Sequence, residues 1–211
     1  MIRIVIADDH HLIRRGFSQY LQRTHDMEMV GEAETGEYLL QLCRQLSFDI
    51  LLLDIGLPDR NGLEVLKDLK NLRPDVKTLV ISMHPEERYA KRALESGAMG
   101  YISKGSDPDE LERAIKKVAR GERYIPPGLA DVLASEIGAP HATLPHERLS
   151  DREYQILISL GSGQSVKHIA SAFNISNSTV YTYKDRIEKK LHLKSNADLF
   201  QYVLNHNLIE K

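Results

Sequence analysis

Over the first 120 residues, short aliphatic or β-branched runs alternate with longer amphipathic stretches, the pattern of βα units around a parallel sheet. Five strands are predicted: Ile2–Ala7, Met29–Ala33, Asp49–Asp54, Lys77–Ser82 and Met99–Ser103. The third, DILLLD, is the most apolar, as expected of a central strand buried on both faces. Helices fill the intervals. The last of them has the plainest start, with Asp107 as cap, Pro108 at the first helical position and Glu110 three residues past the cap.

From Gly121 to Arg148 the periodicity weakens among Pro126, Pro127, Gly138, Pro140 and Pro145, with one short helical piece, GLADVLASEI, between them. This segment is assigned as a linker. Beyond it four helices are predicted without a strand: Asp151–Leu160, Val166–Phe173, Asn177–Leu191 and Asn196–Asn205. Ser150 with Glu153, and Ser195 with Asp198, stand at cap spacing. The expected architecture is an α/β domain with a five-stranded parallel sheet over residues 1–120, a linker over 121–148, and a small all-α four-helix domain over 149–211.

Composition narrows this picture. A chain of 211 residues suits two compact units, and 42% hydrophobic with 27% charged residues is ordinary for a globular protein. The apolar run after Met1 is only about five residues long, too short for a signal peptide or a membrane span, so a cytoplasmic protein without membrane association is expected. Cys43 stands alone, which excludes an internal disulfide, a CxxC pair and a thiolate zinc site, and leaves core filling. A net charge of −2 excludes a uniformly basic protein that coats nucleic acid. A local basic patch is nonetheless present in Lys184, Arg186, Lys189, Lys190 and Lys194, offset by Asp185 and Glu188.

Ligands of parallel α/β sheets bind beyond the carboxyl ends of the strands, and the polar residues there converge. Asp8 and Asp9 end the first predicted strand, Asp54 the third and Ser82 the fourth, while Lys104 follows the fifth. Three carboxylates at one sheet edge repel each other unless a cation shares them, and all-oxygen ligation suits Mg²⁺. A carboxylate shielded in this way can act as nucleophile towards a phosphoryl group, with Lys104 and the Ser82 hydroxyl binding the new phosphoryl oxygens. Taken singly, each residue has a plainer reading: a turn aspartate, a surface lysine, a loop hydroxyl, and for Tyr101 a half-buried strand aromatic. Only the combination is specific.

His10 and His11 beside the aspartates offer a transition-metal alternative, but Mg²⁺ accounts for the carboxylates without them, and they are assigned as partly exposed residues at a helix start. Phosphatases of the haloacid-dehalogenase type also use a strand-end aspartate. The residue two beyond Asp54 is Gly56 rather than the acid those enzymes require, so no turnover enzyme is expected beyond self-phosphorylation and slow dephosphorylation.

The segments IVIADDH, LLLDIGLPDRNG, VISMH and GYISK resemble the successive signatures of response-regulator receiver domains, which are flavodoxin-like. The resemblance implies that Asp54 is the phospho-acceptor, that Asp8, Asp9, Asp54 and the backbone carbonyl of Gly56 hold Mg²⁺, that Ser82 and Tyr101 are switch residues, and that Lys104 binds phosphate. A phosphoryl group carries about −1.5 to −2 charges, enough to draw Ser82 inward and let Tyr101 follow into the vacated space.

In the C-terminal segment, the second and third helices joined by the turn NIS have the shape of a helix-turn-helix. Val180, Ile187 and Leu191 should face the core, so Tyr181, Thr182 and Asp185 are left for base edges. Lys184, Arg186 and Lys189, Lys167 from the preceding helix and the hydroxyls of Ser178 and Thr179 are candidate phosphate contacts. A helical bundle with a solvated basic face has the same pattern. Residues 149–199 resemble the LuxR-type helix-turn-helix through LSDRE, GSG, KHIA, STV and KKLHLKS, and the whole chain is similar to NarL/FixJ-type response regulators. It departs from them at Tyr181, commonly a lysine, at Tyr183, commonly a histidine, and in the acidic Asp185. Tyr181 is expected to touch DNA and Tyr183 to pack. Leu199, Tyr202 and Val203 of the last helix either fill the core or, by resemblance, flank a surface that pairs two modules on a twofold site. The implied function is phosphorylation of Asp54 by a sensor histidine kinase or small phosphodonor, controlling homodimerisation and sequence-specific binding to double-stranded DNA to regulate transcription. The alternative is a signalling adaptor whose receiver binds proteins and whose helical module does not read DNA.

Overall fold

The computed structural model describes residues 1–83, 86–126 and 144–209. The chain divides into two compact units, Met1–Ala139 and Pro140–Lys211. In the first unit, β1 (Ile2–Ala7), β2 (Met27–Ala33), β3 (Ile50–Asp54), β4 (Lys77–Ser82) and β5 (Gly100–Ser103) form one parallel sheet in the order β2-β1-β3-β4-β5. Helices α1 (His11–Leu21), α2 (Gly36–Gln45), α3 (Gly62–Leu72), α4 (Glu86–Glu95) and α5 (Pro108–Ala119) complete it. The five expected strands are all present. β2 begins two residues earlier than expected because Met27 is buried and pairs with Ile2.

Both faces of the sheet are covered. Ile4, Ile6, Leu52, Leu79, Ile81 and Ile102 share one core with Leu21 of α1 and with Leu111, Ala114, Ile115 and Val118 of α5. Their strand neighbours Val5, Leu51, Leu53 and Val80 are equally buried and project to the opposite face. This is why β1 and β3 read as continuous apolar runs rather than as alternation. Cys43 of α2 is buried, and burial pushes its thiol up to about 11. The strand order reverses between β1 and β3, so a crevice opens past their carboxyl ends. The start of α3 closes tightly against it: a Cβ at Gly62 would lie 2.2 Å from the Asp54 carbonyl oxygen.

The segment assigned as linker contracts at both ends. Tyr124 donates its N–H to Met99 O at 2.8 Å and its hydroxyl to Glu110, so residues 121–126 belong to the first unit. Glu110 thus anchors this segment, while the Asp107 side chain caps α5 by accepting from Asp109 N. The predicted helix GLADVLASEI lies outside the described residues. On the other side, the 3₁₀ turn Pro145–Arg148 packs into the second unit, with His146 buried against Tyr154, Tyr202 and His206.

The second unit contains α6 (Asp151–Gly161), α7 (Val166–Ala172), α8 (Asn177–Leu191) and α9 (Asn196–Asn205), close to the expected spans. Ser150, Ser165, Ser176 and Ser195 cap them, each accepting the N–H three residues on. At α6 Glu153 completes a capping box; at α9 Asp198 instead accepts from Lys194 N. Val180, Ile187 and Leu191 of α8 are buried as expected, as are Leu199 and Val203 of α9. Tyr202 is half-buried, 3.0 Å from His146 Nδ1, so packing within the unit accounts for all three apolar positions of α9 considered above. Gly161 lets α6 meet α9, since a Cβ there would lie 2.6 Å from Val203 Cγ2. No helix among the described residues is long and apolar enough to cross a membrane.

Candidate functional site

Past the carboxyl ends of β1 and β3, ligand atoms from Asp8, Asp9, His10 and Asp54 all lie within 4.8 Å of one another. Asp8 and Asp54 are buried, while Asp9 is partly exposed. Lys104 enters from the turn after β5, its N–H held by Ser82 O at 2.8 Å and its side chain only 2% exposed. Its Nζ is 2.7 Å from Asp54 Oδ2 and 2.6 Å from Asp8 Oδ2. Burial raises the Asp54 carboxyl above its usual range; Lys104 pulls it back in part and Asp8 pushes it further up. Burial opposes the Lys104 charge too, but the two carboxylates outweigh it and hold the ammonium above its usual value.

Three carboxylates crowd around the single Lys104 ammonium. Asp8 Oδ2, although close to Nζ, is buried without a well-angled hydrogen-bond donor. Both features fit a divalent cation with oxygen ligands, held by Asp8, Asp9 and Asp54. The Gly56 backbone beside Asp54 favours the charged form of its carboxyl by a small amount. Ser82, at the end of β4, and Tyr101, within β5, are fully buried. Tyr101 was expected to follow Ser82 inward on phosphorylation; its side chain is already fully buried here.

One contributor escapes the sequence, and a second stands closer to the carboxylates than its assignment as a helix-start residue implied. Arg14, on the first turns of α1, is 3% exposed; its Nη1 donates to Asp8 O at 2.7 Å, its Nε to Glu32 Oε2 at 2.8 Å, and Nη2 pairs with Glu34. The guanidinium therefore ties the Asp8–Asp9 peptide to the end of β2. In sequence Arg14 is one of many helix charges, and partners 18 and 20 residues away give no local signal. His10 does sit before α1 and is exposed, as expected, yet its Nδ1 lies 2.6 Å from Asp9 Oδ1 and 3.2 Å from Asp8 Oδ1. The ring thus joins the acidic cluster.

In the second unit the predicted contact residues divide. Ser178, Tyr181, Thr182, Asp185, Arg186 and Lys189 are exposed on α8, and Lys167 is exposed on α7. Tyr181 is 54% exposed, whereas Tyr183 is half-buried with Arg186 5.9 Å from its ring centroid, in line with contact for the first and packing for the second. Lys184 departs from expectation: it is half-buried and pairs with Glu188 at 3.5 Å, one helical turn on, which draws it from the outer face. Lys190 of the basic patch reaches Glu153 at 2.6 Å and joins α8 to α6. The Ser178 and Thr179 hydroxyls cluster with the cap Ser176, at 2.6 and 2.8 Å from its Oγ.

Residues 4–116 match the family model of the response regulator receiver domain, and residues 147–203 match that of the bacterial regulatory proteins of the luxR family. The chain belongs to the response regulators, as a receiver domain followed by a luxR-family helical domain. It is 34% identical over 211 residues to the response regulator GacA of Pseudomonas aeruginosa, covering 100% of this chain and 99% of that one. With the response regulator UvrY of Escherichia coli K12 it shares 34% identity over 209 residues, 99% of this chain and 96% of that one. A solved two-component response regulator of the LuxR family from Aurantimonas sp. SI85-9A1 is 32% identical with a TM-score of 0.60, covering 65% of this chain and 98% of that one.

Proposed function

We propose that Asp54 accepts a phosphoryl group in a Mg²⁺-dependent reaction, and that its phosphorylation controls dimerisation and sequence-specific binding of the C-terminal unit to double-stranded DNA in the cytoplasm. The observation that carries this reading is the buried Asp54 carboxylate held at 2.7 Å by Lys104 inside a cluster with the carboxylates of Asp8 and Asp9. An oxygen of Asp54 forms a bond to phosphorus as the donor's bond from phosphorus to its leaving nitrogen or oxygen breaks, giving an acyl phosphate. A phosphohistidine of a sensor kinase or a small phosphodonor supplies the group. Asp8, Asp9, Asp54 and the Gly56 carbonyl would hold the cation, which when bound neutralises the phosphoryl oxygens.

Lys104 has a second task. Its ammonium, now shared by Asp54 and Asp8, is placed to bind a phosphoryl oxygen once Asp54 is esterified, and Ser82 at the end of β4 offers a hydroxyl to another. The test is labelling of the full chain by a small phosphodonor with Mg²⁺, compared with Asp54→Asn. Label is expected on the wild type alone, and label that survives in the variant would sink the assignment. Duplex-DNA affinity of the chain treated with phosphodonor and Mg²⁺, measured against salt, checks the output. Each phosphate contact adds about −0.9 to the logarithmic slope, so exposed Lys167, Arg186 and Lys189 call for a steep fall. A flat response would favour the adaptor reading.

A further inference from the structure

The outer face of α8 carries one group that does not suit a polyanionic partner. With Val180, Ile187 and Leu191 buried, a turn of 100° per residue places Ser178, Tyr181, Thr182, Asp185 and Lys189 on the opposite, exposed side. Asp185 lies in the middle of that face. The other acid of the helix, Glu188, is half-buried on the flank and paired with Lys184. Asp185 has no ion pair among the described residues, although Lys189 one turn on is within reach of such a pair by spacing.

Resting on the DNA-binding reading above, we infer that Asp185 is the specificity-determining residue of α8 and requires a cytosine amino group at one position of each half-site. A carboxylate entering the major groove loses water and is repelled by phosphates, so it must accept a hydrogen bond from a base to remain there. Guanine presents N7 and O6, both acceptors, and thymine presents O4, also an acceptor, so each repels it. Adenine offers N6–H₂ beside the acceptor N7, which a carboxylate faces at a penalty. Cytosine offers N4–H₂ with no acceptor at that edge. Tyr181 and Thr182, one turn earlier on the same face, lie beside Asp185 towards the helix start. The Thr182 hydroxyl donates back to Ser178 O at 3.0 Å, so it offers the groove an acceptor and a methyl group rather than a donor.

The charge also works against wrong sites. A neutral residue at position 185 would leave binding to non-cognate DNA unpenalised, whereas the carboxylate weakens every complex in which no amino donor meets it.

The experiment is selection from a randomised duplex pool by the full-length chain treated with a small phosphodonor and Mg²⁺, followed by affinity measurements on single-base variants of the selected site, for wild type, Asp185→Ala and Asp185→Asn. The side chain is exposed and has no ion pair among the described residues, so both variants are expected to fold as the wild type does. Wild type is expected to fix one cytosine per half-site and to lose at least about fivefold in affinity when it is replaced by thymine. Asp185→Ala erases that preference and leaves the others. Asp185→Asn moves it towards adenine, whose N6 and N7 an amide matches with one donor and one acceptor. If either variant binds every duplex more tightly with the base ratios unchanged, the carboxylate is a general electrostatic brake and the inference falls. If wild type selects a site but no variant alters any base preference, Asp185 alone loses its role. Phosphorylated wild type that binds no duplex at any salt concentration removes the DNA reading together with the inference.

Discussion

Replacing Lys104 by Met tests the electrostatics of the first unit most directly. Met keeps the length of the side chain and removes the ammonium that lies 2.7 Å from Asp54 and 2.6 Å from Asp8. Removing one partner of a buried ion pair costs about 3–5 kcal/mol, because the charge left behind stays desolvated. At roughly 4 °C per kcal/mol for a unit of this size, the receiver transition should fall by roughly 12–20 °C in EDTA. Two further signatures separate this cause from simple loss of packing. Asp54→Asn in the same chain removes the stranded charge, so the double variant should recover at least about 1 kcal/mol. Mg²⁺ takes over the compensation, so it should stabilise the variant more than the wild type. The pH dependence has a definite sign. Burial raises the folded Asp54 carboxyl above its unfolded value, so its ionisation costs stability above the folded value, and that cost is relieved as pH falls through it. The gap between variant and wild type should therefore narrow on acidification. Scanning calorimetry of the full chain with EDTA or Mg²⁺ reads all of this. A variant that unfolds within about 2 °C of wild type in EDTA, corresponding to about 0.5 kcal/mol, and is indifferent to Asp54→Asn would refute the reasoning.

Arg14→Ala frees the Asp8–Asp9 peptide and should weaken Mg²⁺ binding by about tenfold in titration calorimetry, with Arg14→Lys recovering only part because it lacks the planar fork; unchanged affinity would mean that Arg14 serves stability alone. Gly62→Ala sets a methyl 2.2 Å from the Asp54 carbonyl, so it should cost at least about 2 kcal/mol and slow labelling of Asp54 by displacing the turn after β3. Glu153→Gln should destabilise the second unit by about 1–3 kcal/mol in thermal unfolding at neutral pH. Burial alone would raise the Glu153 carboxyl, but Lys190 and the Ser150 amide outweigh it and hold it below 4.5, so its contribution is complete above that value and lost as pH falls through the lower folded one. Cys43, pushed up to about 11 by burial, should resist thiol reagents in the native chain and react only at the rate of unfolding.

Much of this protein was local information. Strand runs bounded by polar residues, and a serine before every helix of the second unit, place the elements within a residue or two because side-chain period and cap hydroxyls act over one turn. Asp8, Asp9, Asp54, Ser82 and Lys104 were legible as a set because a parallel sheet must deliver its strand ends to one edge. The tertiary structure alone decided the rest. Lys104 lies 50 residues from Asp54, and that it shares its charge with Asp8 follows from how β5 packs on β4 and β4 on β3. Arg14 became a structural member of the site only when α1 lay against the end of β2. Among the charged residues of α8, Lys184 and Lys190 are engaged by Glu188 and Glu153, whereas Lys189 stays exposed and Asp185 has no ion pair among the described residues. The Lys184–Glu188 pair follows from helical spacing, but the Lys190–Glu153 pair depends on a distance of a few ångströms across elements, which helical spacing does not set.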